Sequence, residues 1–293
     1  MFDGFDAFTR SVGGVDIHGV KGGAGPPLLL LHGYPQTHVM WHKVAPRLAE
    51  HRTIIAADLR GYGRSSKPAA VPDHSTYSKR AMATDMTALM RAFGFERFAI
   101  LAHDRGARVA HRLALDSPAS VTRMVLLDIA PTREMYARTH DGFARAYWHW
   151  FFLIQPAPFP ERMIGADPRA YWRHKCGSGS AGLTPFTPEA LAAYLEAFDD
   201  PATIAASCED YRAAASIDLV HDDEDQGRKV GCPIRVLWGQ RGAIERHFDC
   251  LALWRERAES VEGEALPGGH YLAEELPDDV VAHTLAFLQQ EAR

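Results

Sequence analysis

The stretch FAILAHDRGARVAHR, Phe98 to Arg112, constrains the chain more than any other, because an apolar run stops at a charged residue where a helical pattern begins. Phe98, Ile100 and Leu101, with Ala99 and Ala102, predict a short buried strand, and Gly106 to Leu115 predicts a helix that ends before Pro118. Asp104 stands at the corner, with Ala102 two residues before it and Gly106 two residues after. Small residues at that spacing allow a tight strand-to-helix turn that lifts one side chain into the open above a sheet, the pattern small-x-nucleophile-x-small. Serine commonly holds the central place. A carboxylate cannot do the serine's chemistry, but it can displace a leaving group from carbon and form an ester that water later hydrolyses.

The 293 residues, 46% hydrophobic and 24% charged, suit one large α/β domain with room for an insertion. A net charge of -5 offers no basic face for nucleic acid and no polybasic membrane anchor, so an anionic substrate would need local arginines. The start, MFDGFDAFTR, predicts no signal peptide, and the longest aliphatic run, Leu28 to Leu31, is far too short to span a bilayer. Cys176, Cys208, Cys232 and Cys250 lack CxxC or metal-like spacing, which predicts reduced thiols in a cytoplasmic protein and no metal site.

Taken in order, the chain predicts an edge hairpin over Ser11 to Gly19, an apolar strand over Leu28 to Leu31 and another over Thr53 to Ala57. The residues closing the first apolar strand, His32, Gly33, Tyr34 and Pro35, resemble the HGxP turn that follows the third strand of α/β-hydrolases. In that resemblance the backbone N–H groups of Tyr34 and Arg105 form an oxyanion hole. The segment DLRGYGRSSKP, Asp58 to Pro68, is similar to the DxRGxGxS segment of the same superfamily and reads as structural. Helical spacing over Tyr77 to Phe93, a strand over Arg123 to Leu127 and another over Pro233 to Trp238 complete an alternation that implies a doubly wound, mostly parallel sheet. A helix near Phe248 to Ala258 and a short strand around Glu264 to Leu266 follow. Between these strands, aromatics crowd Tyr147 to Phe152, prolines recur, and Glu189 to Phe198 and Ile204 to Ala215 have helical spacing. The division expected is a core of residues 1–130 and 229–293 with a helical cap of residues 131–228.

His270, in a Gly-Gly-His loop before the last helix, is the expected base, and the order nucleophile, acid, histidine then holds. Two carboxylates compete to orient it. The turn after Trp238 carries Gly242 where many relatives place Asp, which leaves Asp128 at the end of the preceding strand, with Glu245 as the fallback. Arg105 and Arg108, three apart at the helix start, can turn toward one cleft and hold a substrate carboxylate by charge-assisted bonds. Arg112 fits a structural ion pair better. In the insertion, His149, Trp150 and Tyr211 each carry an N–H or O–H donor, and donors facing a departing halide would meet its charge as it develops.

AHDRGARVAHR, HGYP, LLDIAPT, YWHWFF, DYRAAASIDL and PGGH together resemble the fluoroacetate or haloacetate dehalogenases of the α/β-hydrolase superfamily over nearly the whole chain. The resemblance implies Asp104 as nucleophile, His270 as base, Asp128 as acid, Arg105 and Arg108 as carboxylate clamp, and His149, Trp150 and Tyr211 as halide pocket. It also implies hydrolysis of a short 2-haloacid with no cofactor, by a homodimer whose partner is the small substrate alone. An epoxide hydrolase using the same Asp104 and a cap tyrosine is the alternative, and it leaves Arg105 and Arg108 without a task. A third reading, an idle ligand-binding homologue, is disfavoured by the presence of nucleophile, base and acid. Arg173 to Thr184 and Gly239 to Arg246 are less like the family and leave pocket width and the halide released open.

Overall fold

The computed structural model describes residues 1–179 and 181–290. Position 180, inside the stretch Arg173 to Thr184, and residues 291–293 at the end of the second core segment lie outside the described residues. Eight strands form one sheet: β1 (Phe5–Val12), β2 (Val15–Gly22), β3 (Pro27–Leu31), β4 (Thr53–Ala57), β5 (Phe98–His103), β6 (Val121–Leu127), β7 (Ile234–Gly239) and β8 (Val261–Leu266). Their order is β1-β2-β4-β3-β5-β6-β7-β8, antiparallel through β1, β2 and β4 and parallel from there on. The central strands β3, β4 and β5 are buried along their whole length apart from Pro27, as expected of parallel strands covered on both faces.

That order places the site. β4 adds on one side of β3 and β5 on the other, so the chain reverses direction across the sheet between them, and such a switch point opens a crevice at the carboxyl ends of the strands. Leu31 pairs with Ala102, His103 with Leu127, Leu127 with Leu237, and Gly239 with Leu266. The loops after β3, β5, β6, β7 and β8 therefore leave the sheet at one level and converge.

Between β6 and β7 the chain runs through short helices, from Thr132–Ala137 to Ile217–Glu224. Several of the recurring prolines mark helix starts: Pro168, Pro188 and Pro201 open helices whose first turns are capped by the side chains of Asp167, Thr187 and Asp200. Proline lacks the N–H that a first turn leaves unbonded, so it starts a helix without loss.

The boundaries shift at the edges. The first hairpin spans β1 and β2, longer than Ser11 to Gly19, and turns at Gly13 and Gly14, both with positive φ. β8 begins at Val261, where it pairs with Ile234 of β7, and its outward Glu262 and Glu264 hide this edge strand from an apolar count. The helix after β5 begins at Asp104 itself and runs to Asp116.

Candidate active site

Asp104 is the first residue of its helix and adopts φ 44°, in the left-handed region, while His103 before it is extended at φ -122°. A non-glycine residue held there costs about 1–3 kcal/mol, a strain that the surrounding packing must hold in place. Packing does so through backbone approach: a Cβ on Gly106 would fall 2.5 Å from the His32 carbonyl oxygen, and one on Gly33 would fall 2.6 Å from the Asp104 Cβ. Both positions therefore need glycine.

The Asp104 carboxylate is buried, and its Oδ1 accepts the Tyr34 backbone N–H at 3.0 Å. Burial alone would raise its pKa, but His270, His103, Arg108 and Arg105 outweigh burial and hold the carboxyl well below the usual range. It is held as an anion.

His270 meets Asp128: Nδ1 lies 2.6 Å from Asp128 Oδ2, while Gly239 N–H donates to Oδ1 at 2.9 Å. Asp128 is fully buried and, like Asp104, has a positive φ, 51°. Glu245 is elsewhere, exposed and accepting from Trp238 Nε1. With Nδ1 directed at the carboxylate, Nε2 is the ring nitrogen of His270 left for another partner. His103 braces the ring from behind by pairing its Nε2 with the His270 carbonyl at 2.9 Å.

The two arginines differ more than their spacing suggests. Arg105 places Nε at 3.0 Å and Nη2 at 2.6 Å on the Asp210 carboxylate, and lies 4.2 Å over the Tyr211 ring. Only its Nη1 is unpartnered, so Arg105 is a neutralised arm rather than a free one. Arg108 donates to Thr132 Oγ1 at 2.7 Å and the Ala130 carbonyl at 3.2 Å, and sits 4.7 Å over the Trp150 ring. Among the described residues it has no carboxylate partner, and its Nε is unpartnered. Arg112, as expected, is taken up by ion pairs with Asp116 and Asp225.

Trp150 Nε1, Tyr211 Oη and His149 Nδ1 are all buried and all without a hydrogen-bond partner. Buried donors are rarely left so, and each such group invites an explanation. Burial and then the Lys175 charge hold His149 far below its ordinary pKa, so it is neutral. The helix Trp148–Leu153 carries His149 and Trp150, and Pro201–Ala214 carries Tyr211, whose ring meets Tyr34 at 5.2 Å. The helices between β6 and β7 thus reach the turn that holds Asp104.

Two residues of the site escaped the sequence. Asp210, the neighbour of Tyr211, holds Arg105 and also accepts from Tyr62 Oη at 2.6 Å and from Lys79. Tyr136 brings a further buried, unpartnered hydroxyl, its ring 4.9 Å from Trp150. Neither had a local signal, since their partners are far away in the chain. Among the described residues no group of three or more His, Cys, Asp or Glu is placed to hold a metal ion. None of their helices is long and apolar enough to cross a membrane.

This switch-point crevice with a strained carboxylate, its backbone donor and an Asp–His pair defines a hydrolase of the α/β class. Residues 26–276 match the alpha/beta hydrolase fold family, and the chain belongs to that family. Among characterised relatives, it is 48% identical over 98% of its length, and 95% of the relative's, to a fluoroacetate dehalogenase of Burkholderia sp. It is 33% identical to a soluble epoxide hydrolase of Corynebacterium sp. (strain C12), covering 94% of each chain. Among solved structures, an alpha/beta hydrolase-fold protein of Nostoc sp PCC 7120 superposes with a TM-score of 0.96 at 54% identity, over 99% of this chain and all of that one.

Proposed function

We propose that the chain hydrolyses short 2-haloacids, fluoroacetate or haloacetate to glycolate and halide, through an ester on Asp104. The observation that carries this reading is the pairing of an ionised nucleophile with donors that have nothing to bond. Trp150 and Tyr211 present an unpartnered N–H and O–H, His149 presents an unpartnered ring nitrogen, and Arg108 presents a charge with no carboxylate among the described residues.

In the first step a carboxylate oxygen of Asp104 attacks the carbon bearing the halogen, the carbon–halogen bond breaks, and the halide leaves with the bonding pair. Arg108 and the Nη1 of Arg105 hold the substrate carboxylate, and the cap donors meet the halide as its charge grows. In the second step His270 Nε2 takes a proton from water, which attacks the Asp104 carboxyl carbon. The Tyr34 N–H, already 3.0 Å from Oδ1, steadies the tetrahedral oxyanion, joined by that of Arg105. Asp128 stabilises the imidazolium, which returns its proton to the glycolate oxygen as that oxygen's bond to the Asp104 carboxyl carbon breaks, and the carboxylic acid left on Asp104 loses its proton to solvent to regenerate the carboxylate. Residues 131–228 act here as the cap that excludes bulk water.

The relative at 48% identity supports the same reaction, since it is a fluoroacetate dehalogenase. The epoxide hydrolase reading draws on the relative at 33% identity and on Tyr211 as proton donor, but it leaves the Arg108 charge without a counterpart. Halide release from fluoroacetate and chloroacetate, measured beside diol formation from a small neutral epoxide, decides between them. Diol without halide would overturn the proposal.

A further inference from the structure

A hollow of about 570 Å³ opens where the cap meets the loops after β7 and β8, and His149 and His270 are among the residues that line it. Its described lining includes Arg145, Lys175, Arg241 and Arg246 and no Asp or Glu, although acids outnumber bases in the chain by 37 to 32. Two of the charges are balanced: Arg145 lies 2.9 Å from Asp141, and Arg241 lies 3.8 Å from Glu275. The other two have no carboxylate among the described residues. Lys175 Nζ donates to Tyr271 Oη at 3.2 Å, and Arg246 donates to the carbonyls of Gly242 at 3.1 Å and Arg241 at 3.4 Å.

Position separates their tasks. Arg246 is exposed, whereas Lys175 is half-buried, 5.9 Å from the centre of the Tyr34 ring whose backbone N–H holds Asp104. A string of cations from surface to throat, in a chain of net charge -5, needs a reason. An ionised Asp104 supplies it: a small carboxylate approaching that anion is repelled unless positive charge precedes it, and low-dielectric walls concentrate the field of such charges.

We propose that this hollow is an anion antechamber in which Arg246 at the rim and Lys175 at the throat gather small carboxylates and pass them to Arg108. The proposal rests on the haloacid reading of the site. Acetate, which carries the carboxylate and no leaving group, is the probe, and its association is followed by stopped-flow tryptophan fluorescence, since Trp148 lines the hollow.

Removing charge should slow arrival and leave departure alone. We expect Lys175→Gln and Arg246→Gln each to lower the acetate association rate constant roughly threefold at low salt, and the pair about tenfold, the low end of known steering effects. At 1 M salt, where screening acts over about 3 Å, the differences should vanish. Lys175→Arg and Arg246→Lys should restore the rate, which separates charge from folding. Equal rates at low salt, or a loss that persists at 1 M salt or falls on dissociation, would overturn the antechamber. Fluoride release from fluoroacetate in the same preparations separates the two readings. Intact release with charge-independent association removes the antechamber alone, and absent release with charge-dependent acetate association removes the dehalogenation reading alone.

Discussion

At the scale of single residues, the two arginines make unlike predictions from like positions. Arg108→Leu removes a charge-assisted bond to substrate worth about 1.5–3 kcal/mol, so KM for haloacetate should rise by roughly one to two decades, with little change in Tm. Arg105→Leu instead strips Asp210 of a buried partner, and breaking such a pair costs about 3–5 kcal/mol, so thermal unfolding should shift markedly. A Tm unchanged by Arg105→Leu would remove its pairing role. Asp104→Ala should abolish halide release, and His270→Ala incubated with substrate should retain an ester on Asp104 visible by mass spectrometry. An unmodified His270→Ala protein after halide release would contradict the order of steps. Trp150→Phe should depress fluoride release by on the order of 100- to 1000-fold, as removal of one transition-state donor does, and bromide release far less. Equal slowing of both would make Trp150 packing. The places of Asp104 and His270 were legible in sequence because a strand end and a glycine turn mark them, whereas Asp128 and Glu245 stayed rivals for the partner of His270. The asymmetry of Arg105 and Arg108 was not legible, since Asp210 lies in a different helix and nothing local tells one helix aspartate from another.

At the scale of elements, strands buried on both faces were legible as apolar runs, and those exposed on one side were not. β3, β4 and β5 read directly from LLLL, TIIAA and FAILA, while β1 and β8, with polar outward residues, were truncated or shifted. The choice between Asp128 and Glu245 needed the register of β6 against β7, which puts Gly239 N–H under the Asp128 carboxylate. The helix Pro201–Ala214 is fastened to the core through Asp210, by way of Arg105, Tyr62 and Lys79. Asp210→Asn leaves buried Arg105 without a carboxylate and Lys79 with Asp218 alone, 3.7 Å away. Limited proteolysis should then cut the cap sooner than in the parent, while Asp199→Asn, an exposed pair with Arg169, should change nothing. Equal cutting of both variants would show that Asp210 does not fasten the cap.

At the scale of the whole molecule, cap and core also meet through Glu274, which is buried, accepts from Tyr194 Oη at 2.6 Å and lies 3.3 Å from Lys43 Nζ. Burial pushes its carboxyl up to about 7, from an ordinary 4.5, despite Tyr194 and Lys43. The folded chain therefore keeps a proton that the unfolded chain releases between those values, and the stability from this group declines as pH rises through that window. Glu274→Gln should gain on the parent in Tm between pH 5 and pH 8, and a constant Tm difference across that range would refute the linkage.

The pairing of Leu127 with Leu237 has a wider consequence. The segment between β6 and β7 leaves and re-enters the sheet on adjacent strands, about 4.8 Å apart, so its ends are joined by the core whatever lies between them. Doubling a flexible connection adds only about 0.6 kcal/mol of closure entropy, so the segment can be exchanged or lengthened while the strand ends that carry Asp104, Asp128 and His270 stay put. The two parts can in this way diverge at different rates: the sheet keeps Asp104, Asp128, His270, Arg105 and Arg108 on one frame, while the segment that carries His149, Trp150 and Tyr211 is a replaceable cassette.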